Sequence, residues 1–146
     1  MRIVSFDVPG APQGKGRHRN AIRQSRLRGQ YVAQITPPKT RAYEAEIKNA
    51  AWRAMRGQPI MAGAVLVDLT VRMPIPDSYS KTRRALCLDG KEKPTKKPDL
   101  DNVIKSFLDG MNKTVFDDDS QIVGFTVRKL YSEQAGVAVQ VTEVLY

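Results

Sequence analysis

Apolar residues recur along this chain with two different periods. Leu100, Val103, Ile104, Phe107, Leu108 and Met111 follow the three-then-four spacing of one helix face and predict an amphipathic helix over 100–112. Val65, Val67, Leu69, Val71 and Met73 instead alternate with Leu66, Asp68, Thr70 and Arg72, a strand that Pro74 and Pro76 close. The same alternation puts Val4, Phe6 and Val8 on one face of a strand over 2–8. It does so again for Val123, Phe125 and Val127 over 121–130, and for Val137, Val139 and Val141 over 136–144. Tyr43, Ile47, Ala50, Ala51 and Ala54 return at helical spacing and predict a helix from about Thr40 to Arg56, stopped by Gly57 and Pro59. Residues 77–98 form a long connection with a short helix from Ser80 to Leu88 and the basic tract KEKPTKK. PGAPQGKGRHRN and the arginines beyond it, Arg23, Arg26 and Arg28, predict a basic loop that runs to Pro37 and Pro38. This order of elements predicts an α/β (α+β) fold, one domain over 1–146, with a mixed β-sheet packed against helices.

Composition narrows the setting. A chain of 146 residues can bury a core without metal or disulfide staples, and its single cysteine, Cys87, cannot form an internal disulfide. With the lone His18 far away in sequence, Cys87 reads as a small apolar residue rather than a nucleophile. No apolar run approaches the roughly 20 residues that span a membrane, and the alternating start MRIVSFDVPG does not read as a signal peptide, so a cytoplasmic location is expected.

Charge is distributed unevenly. The chain carries 24 Lys and Arg against 15 Asp and Glu, a formal net charge of +9. The window from Asp99 to Asp119 opposes this, with six aspartates against two lysines. The rest of the chain is therefore more positive than the whole, which favours an anionic partner. Asp99 and Asp101 stand at the entry of the strong helix, where one carboxylate can cap free backbone N–H groups. Capping needs only one. Lys105 shares a helix face with Asp101 and Asp109, which allows a surface ion pair of a few tenths of a kcal/mol. Asp117, Asp118 and Asp119 repel one another unless solvent or a cation compensates. Mg²⁺ is held by few carboxylates and keeps several waters, so a turn folded back beside the helix start, as a following hairpin would allow, lets Asp99, Asp101 and the turn aspartates share an ion.

Other chemistries fit the spacing poorly. Asp99-x-Asp101-x-Val103 lacks the third oxygen ligand of an EF-hand loop, one Cys and one His cannot build a structural zinc site, and GAPQGKG lacks the ending of a P-loop, so no nucleotide cofactor is expected.

The run KKPDLDNVIKSFLDGMNKTVFDDDSQIVGFTVRK resembles the RusA family of Holliday-junction resolvases in its DLDN, its Lys four residues after the second Asp, its DDSQ and its strand ending in basic residues. PQGKGRHR, TPPKTRAYE and VRMPIPDSYSKTRR extend the resemblance along nearly the whole chain, with a loop at 14–19 more basic than the family pattern requires. The resemblance implies a RusA-like, dimeric, Mg²⁺-dependent endonuclease, with Mn²⁺ as a substitute ion, that cuts two opposing strands of four-way DNA junctions and leaves 5′-phosphate and 3′-hydroxyl ends. It implies catalytic roles for Asp99, Asp101, Asp119 and Lys105, with Asp118 joining the three aspartates as a metal ligand. Lys105 would then touch the scissile phosphate or stabilise its developing charge. Lys15, Arg17, Arg19, Lys96 and Lys97 are candidates for DNA backbone contacts, or else solvated charge. A basic DNA-binding module without catalysis and a less selective nuclease of branched DNA are the alternatives.

Overall fold

Burying the two apolar periods against each other dictates the layers. The computed structural model describes residues 1–16 and 19–145. In chain order it contains strands β1 (Ile3–Pro9), β2 (Arg19–Ser25) and β3 (Gly29–Ile35), helix α1 (Pro38–Met55) and strand β4 (Val65–Pro74). Helices α2 (Lys81–Leu88) and α3 (Leu100–Met111), a 3-10 turn at Asp119–Gln121, and strands β5 (Ile122–Ser132) and β6 (Gly136–Glu143) follow.

Four strands form a mixed sheet in the order β1-β6-β4-β5, antiparallel except for the parallel pair β4 and β5. Parallel neighbours need a long crossover, and the α2–α3 segment supplies it. The inner face of β4, from Val65 to Val71, is sealed at 0–2% exposure and lies under α1 and α3. The helices meet closely because Gly110 has no side chain: a Cβ there would lie 2.5 Å from Ile47 Cγ2. Beside that contact Tyr43 and Phe107 pack edge to face with centroids 5.9 Å apart. Burying Phe107 contributes about 1.5–3 kcal/mol from its apolar surface. Pro38 starts α1 without needing a side-chain cap, while Ser80 caps α2 by accepting from the Arg83 N–H at 3.2 Å.

Three features depart from the sequence expectation. The stretch expected as a basic loop contains β2 and β3, which pair antiparallel in a two-stranded sheet of their own. β5 and β6 are consecutive but form no hairpin, because β4, the strand with the fullest apolar inner face, lies between them. Val123 is 66% exposed rather than facing inward with Phe125 and Val127. The β4–β5 register skips it, pairing Val65 with Ile122 and Leu66 with Gly124, so Ile122 takes the inner position. No helix among the described residues is long and apolar enough to cross a membrane.

Candidate active site

A cavity of about 730 Å³ runs along the outer side of α3 and is walled by Asp99, Asp101, Lys105, Asp109 and Asp119, with Lys15 opposite. The helix places this row by its own geometry. Val103, Phe107 and Met111 are buried on the core side, so Asp101, Lys105 and Asp109, spaced four apart, fall together on the solvent side. Asp99 occupies the N-cap position yet makes no side-chain cap hydrogen bond. Its carboxylate instead meets Lys97 Nζ at 3.0 Å, and that lysine is 84% exposed. The capping alternative for Asp99 therefore fails. Lys105 forms no ion pair with Asp101 or Asp109 among the described residues, so its ammonium is presented to the cavity.

The segment entering α3 is fixed from β5. Lys129 Nζ donates to the carbonyls of Lys96 and Pro98, the latter at 2.9 Å, and so holds the backbone just ahead of Asp99. On the opposite wall Lys15 is held by its backbone, whose N–H donates to the Asn102 carbonyl at 3.0 Å. Gly14 permits this approach, since a Cβ there would lie 2.9 Å from Asn102 Cβ. The Lys15 ammonium donates to Asp109, with Glu44 3.7 Å away, and these carboxylates raise its pKa above the usual lysine value.

The aspartate turn is organised by one residue. Gln121 accepts from the N–H groups of Asp117 and Asp118 at 2.8 and 3.0 Å, while its amide donates to the carbonyls of Met61 and Gly63, both at 2.8 Å. Asp118 completes a capping box: its carboxylate accepts from the Ser120 N–H at 3.0 Å. Hydrogen bonds from Ser120 hold its carboxyl below the usual range. Asp117 pairs with Lys113 at 2.7 Å. Of the three turn aspartates, Asp119 is the one on the cavity wall.

The structure thus brings Asp99, Asp101, Asp119 and Lys105 to one cavity and does not bring Asp118 there, because its carboxylate is engaged by the turn backbone. Lys15 lies on the cavity wall, with its ammonium engaged by Asp109 and Glu44 nearby. Lys96 sits 5.8 Å above the Tyr79 ring and Lys97 lies beside Asp99. Arg17 and the side chain of Arg19 lie outside the described residues. Cys87 is buried as expected, with its thiol donating to Glu92 at 2.8 Å. Sequence reasoning missed Gln121, whose signal was the Asp-x-x-Gln capping box beginning at Asp118. It also missed Lys129 and the Lys15–Asp109 pair, for which no local pattern existed.

As they stand, no three carboxylate, imidazole or thiol groups among the described residues are gathered closely enough to hold a metal. The donor chemistry nevertheless suits a hard cation. Asp101 and Asp119 face the cavity without a cationic partner among the described residues, and Asp99 is engaged by a single exposed lysine.

The chain matches the model of the endodeoxyribonuclease RusA family over residues 9–142 and belongs to that family. It is similar to the uncharacterized protein YqaN of Bacillus subtilis (strain 168), with 34% identity over 146 residues and 99% of each chain covered. It is also similar to the crossover junction endodeoxyribonuclease rusA of Lactococcus phage r1t, 41% identical over 51 residues that span 34% of this chain and 39% of the phage protein.

Proposed function

We propose that this chain is a Mg²⁺-dependent endonuclease that resolves four-way DNA junctions by paired, symmetric strand cuts. The products carry a 5′-phosphate and a 3′-hydroxyl, and Mn²⁺ substitutes for Mg²⁺. The observation that carries the proposal is the common cavity of Asp99, Asp101, Asp119 and Lys105 in a chain of an endodeoxyribonuclease family. The likeness to a phage crossover junction enzyme favours branched DNA over linear duplex.

Asp99, Asp101 and Asp119 would hold the metal, which when bound supplies Lewis-acid stabilisation and an acidified water. Lys105 stands one helical turn beyond Asp101 and presents its ammonium to phosphate oxygens as charge accumulates in the transition state. Lys129 ties the segment ahead of Asp99 to β5, and Gln121 ties the aspartate turn to the carbonyls of Met61 and Gly63, so both acidic segments are held by their backbones. Asp118 takes the role of fixing the turn. Lys97, paired with Asp99, and Lys96, just ahead of it in the chain, suit phosphate contacts. A homodimer follows from the substrate, since two symmetry-related sites match two symmetry-related strands.

The test is cleavage of a four-way junction, a flap and a linear duplex in Mg²⁺ by the native chain and by Asp101→Asn. Junction-selective nicking that Asp101→Asn abolishes while retaining junction binding supports the proposal. Binding without cleavage at any divalent ion concentration overturns it in favour of a non-catalytic module. Equal cleavage of flap and junction makes the protein a general branched-DNA nuclease.

A further inference from the structure

The strands β2 and β3 have no role in the acidic cavity, yet they carry the most one-sided charge in the chain. No Asp or Glu stands between Asp7 and Glu44, and Arg19, Arg23, Arg26 and Arg28 all fall in this ribbon. Arg23, Arg26 and Arg28 are exposed, and none forms an ion pair with a carboxylate among the described residues. On the main body Arg2, Arg72, Arg83 and Arg128 each have an acidic partner, while Arg41, Arg53, Arg56 and Arg84 form no ion pair among the described residues. What sets the ribbon apart is that its sequence holds no carboxylate at all. An unneutralised row of guanidinium groups raises the potential of the ribbon and suits bidentate contact with phosphate.

The other groups on the ribbon suit the same partner. Ile22 and Val32 are directly opposed and 73% and 66% exposed, and Leu27 at the turn is 97% exposed. Asn20, Gln24 and Gln30 lie on the same exposed face as Ile22 and Val32. A face of amides and small apolar groups matches the hydrogen-bonding edges and methyl groups of base pairs, and a two-stranded ribbon fits the major groove. On the opposite face Arg28 lies 4.5 Å above the Tyr31 ring.

The feet of the ribbon join it to the cavity. Ahead of β2, Gly16 lines the cavity and its N–H donates to Thr40 Oγ1 at 2.9 Å, beside the segment through which β3 enters α1. Each strand of seven residues spans roughly 23 Å at about 3.3 Å per residue. The ribbon therefore starts at the cavity and extends well beyond it.

We propose that the β2–β3 ribbon is a DNA-gripping arm whose unpaired arginines hold the phosphate backbone of duplex DNA adjoining the cavity. This rests on DNA being the substrate of the cavity, as proposed above.

The experiment measures binding of the full chain to a labelled four-way junction and a linear duplex by fluorescence anisotropy, in EDTA to prevent cleavage, across a salt series. The variants are the triple substitution Arg23→Ala, Arg26→Ala, Arg28→Ala and its lysine counterpart. The alanine variant is expected to bind both DNAs about tenfold more weakly or worse. Its plot of log affinity against log salt should flatten by about 2–3, close to 0.9 for each phosphate that is no longer neutralised. The lysine variant should keep the slope, which separates lost charge from a disturbed fold. Unchanged affinity and slope in the alanine variant, with normal binding by the native chain, overturns the arm alone. Failure of the native chain to bind either DNA overturns the arm and the DNA reading of the cavity together. If the alanine variant changes the assembled mass by light scattering while its DNA affinity is unchanged, the ribbon serves self-association and the proposal fails.

Discussion

Helix α3 and the β2–β3 ribbon are opposite solutions to placing charge on a protein. Helix α3 has one face sunk in the core, with Val103, Phe107 and Met111 fully buried, and its charged row is held in place by that burial. The ribbon leaves Ile22, Leu27 and Val32 in solvent and, among the described residues, pairs only with itself. Chemistry at a phosphate needs fixed groups, so it belongs on the buried element. An element that follows the shape of a long polyanion can do with less support. The lesson is that stability and charge are coupled in one region and nearly independent in the other.

Substitutions in the two regions should therefore differ in what they cost. The largest effect is expected from Phe107→Ala, which removes a fully buried ring from beneath the acidic row and should cost about 3–5 kcal/mol. Urea unfolding would measure it, and a small loss would mean that α3 is not anchored as described. Lys105→Ala should lower the cleavage rate about 10²–10³-fold while leaving the unfolding midpoint nearly unchanged. Single-turnover cleavage compared with thermal melting separates the two quantities.

Gln121→Ala deletes four hydrogen bonds that hold the aspartate turn and should cost about 1–3 kcal/mol, together with part of the activity. Acid should loosen the same turn. The folded pKa of Asp118 lies below its ordinary value of 3.8, so its cap stabilises the fold fully above that value and the contribution disappears as pH falls through the depressed pKa. A carboxyl titration followed by NMR should place the Asp118 midpoint below those of free aspartates. The smallest effect belongs to the ribbon: Ile22→Ser should change stability by less than about 0.5 kcal/mol, as expected for an exposed position.

The same contrast explains what could be read from the residues alone. Helix α3 and strand β4 were legible because burial on one face leaves an apolar period behind. The ribbon was not, because strands with no core to face show no such period, and its arginines read as loop charge. On β5 the skipped residue broke the phase, so Val123 was assigned to the wrong side. In the candidate site, Asp99, Asp101 and the turn aspartates were legible from residue type and spacing, whereas the choice of Asp119 and the role of Lys105 came from the resemblance to the RusA family. Lys129 and the Lys15–Asp109 pair were not legible, since each joins segments distant in the chain. Asp118 was legible as part of a motif, but its role in holding the turn emerged only with the geometry around Gln121.

The extra residue at Val123 has a consequence for how this protein tolerates change. Upstream of it Ile122 faces the core and the aspartate turn is bonded to Met61 and Gly63; downstream Val127 and Lys129 keep the inward phase that brings Lys129 to the α3 entry. A strand alternates strictly, so it is the extra residue that lets Ile122 and Phe125, three positions apart, both face inward opposite Val65 and Val67. Val123 should accept almost any side chain. Its deletion, which leaves Ile122, Gly124 and Phe125 opposite Val65, Leu66 and Val67 in plain alternation, should keep both sets on their present faces. The extra residue adds local bend and twist to β5 rather than setting its phase.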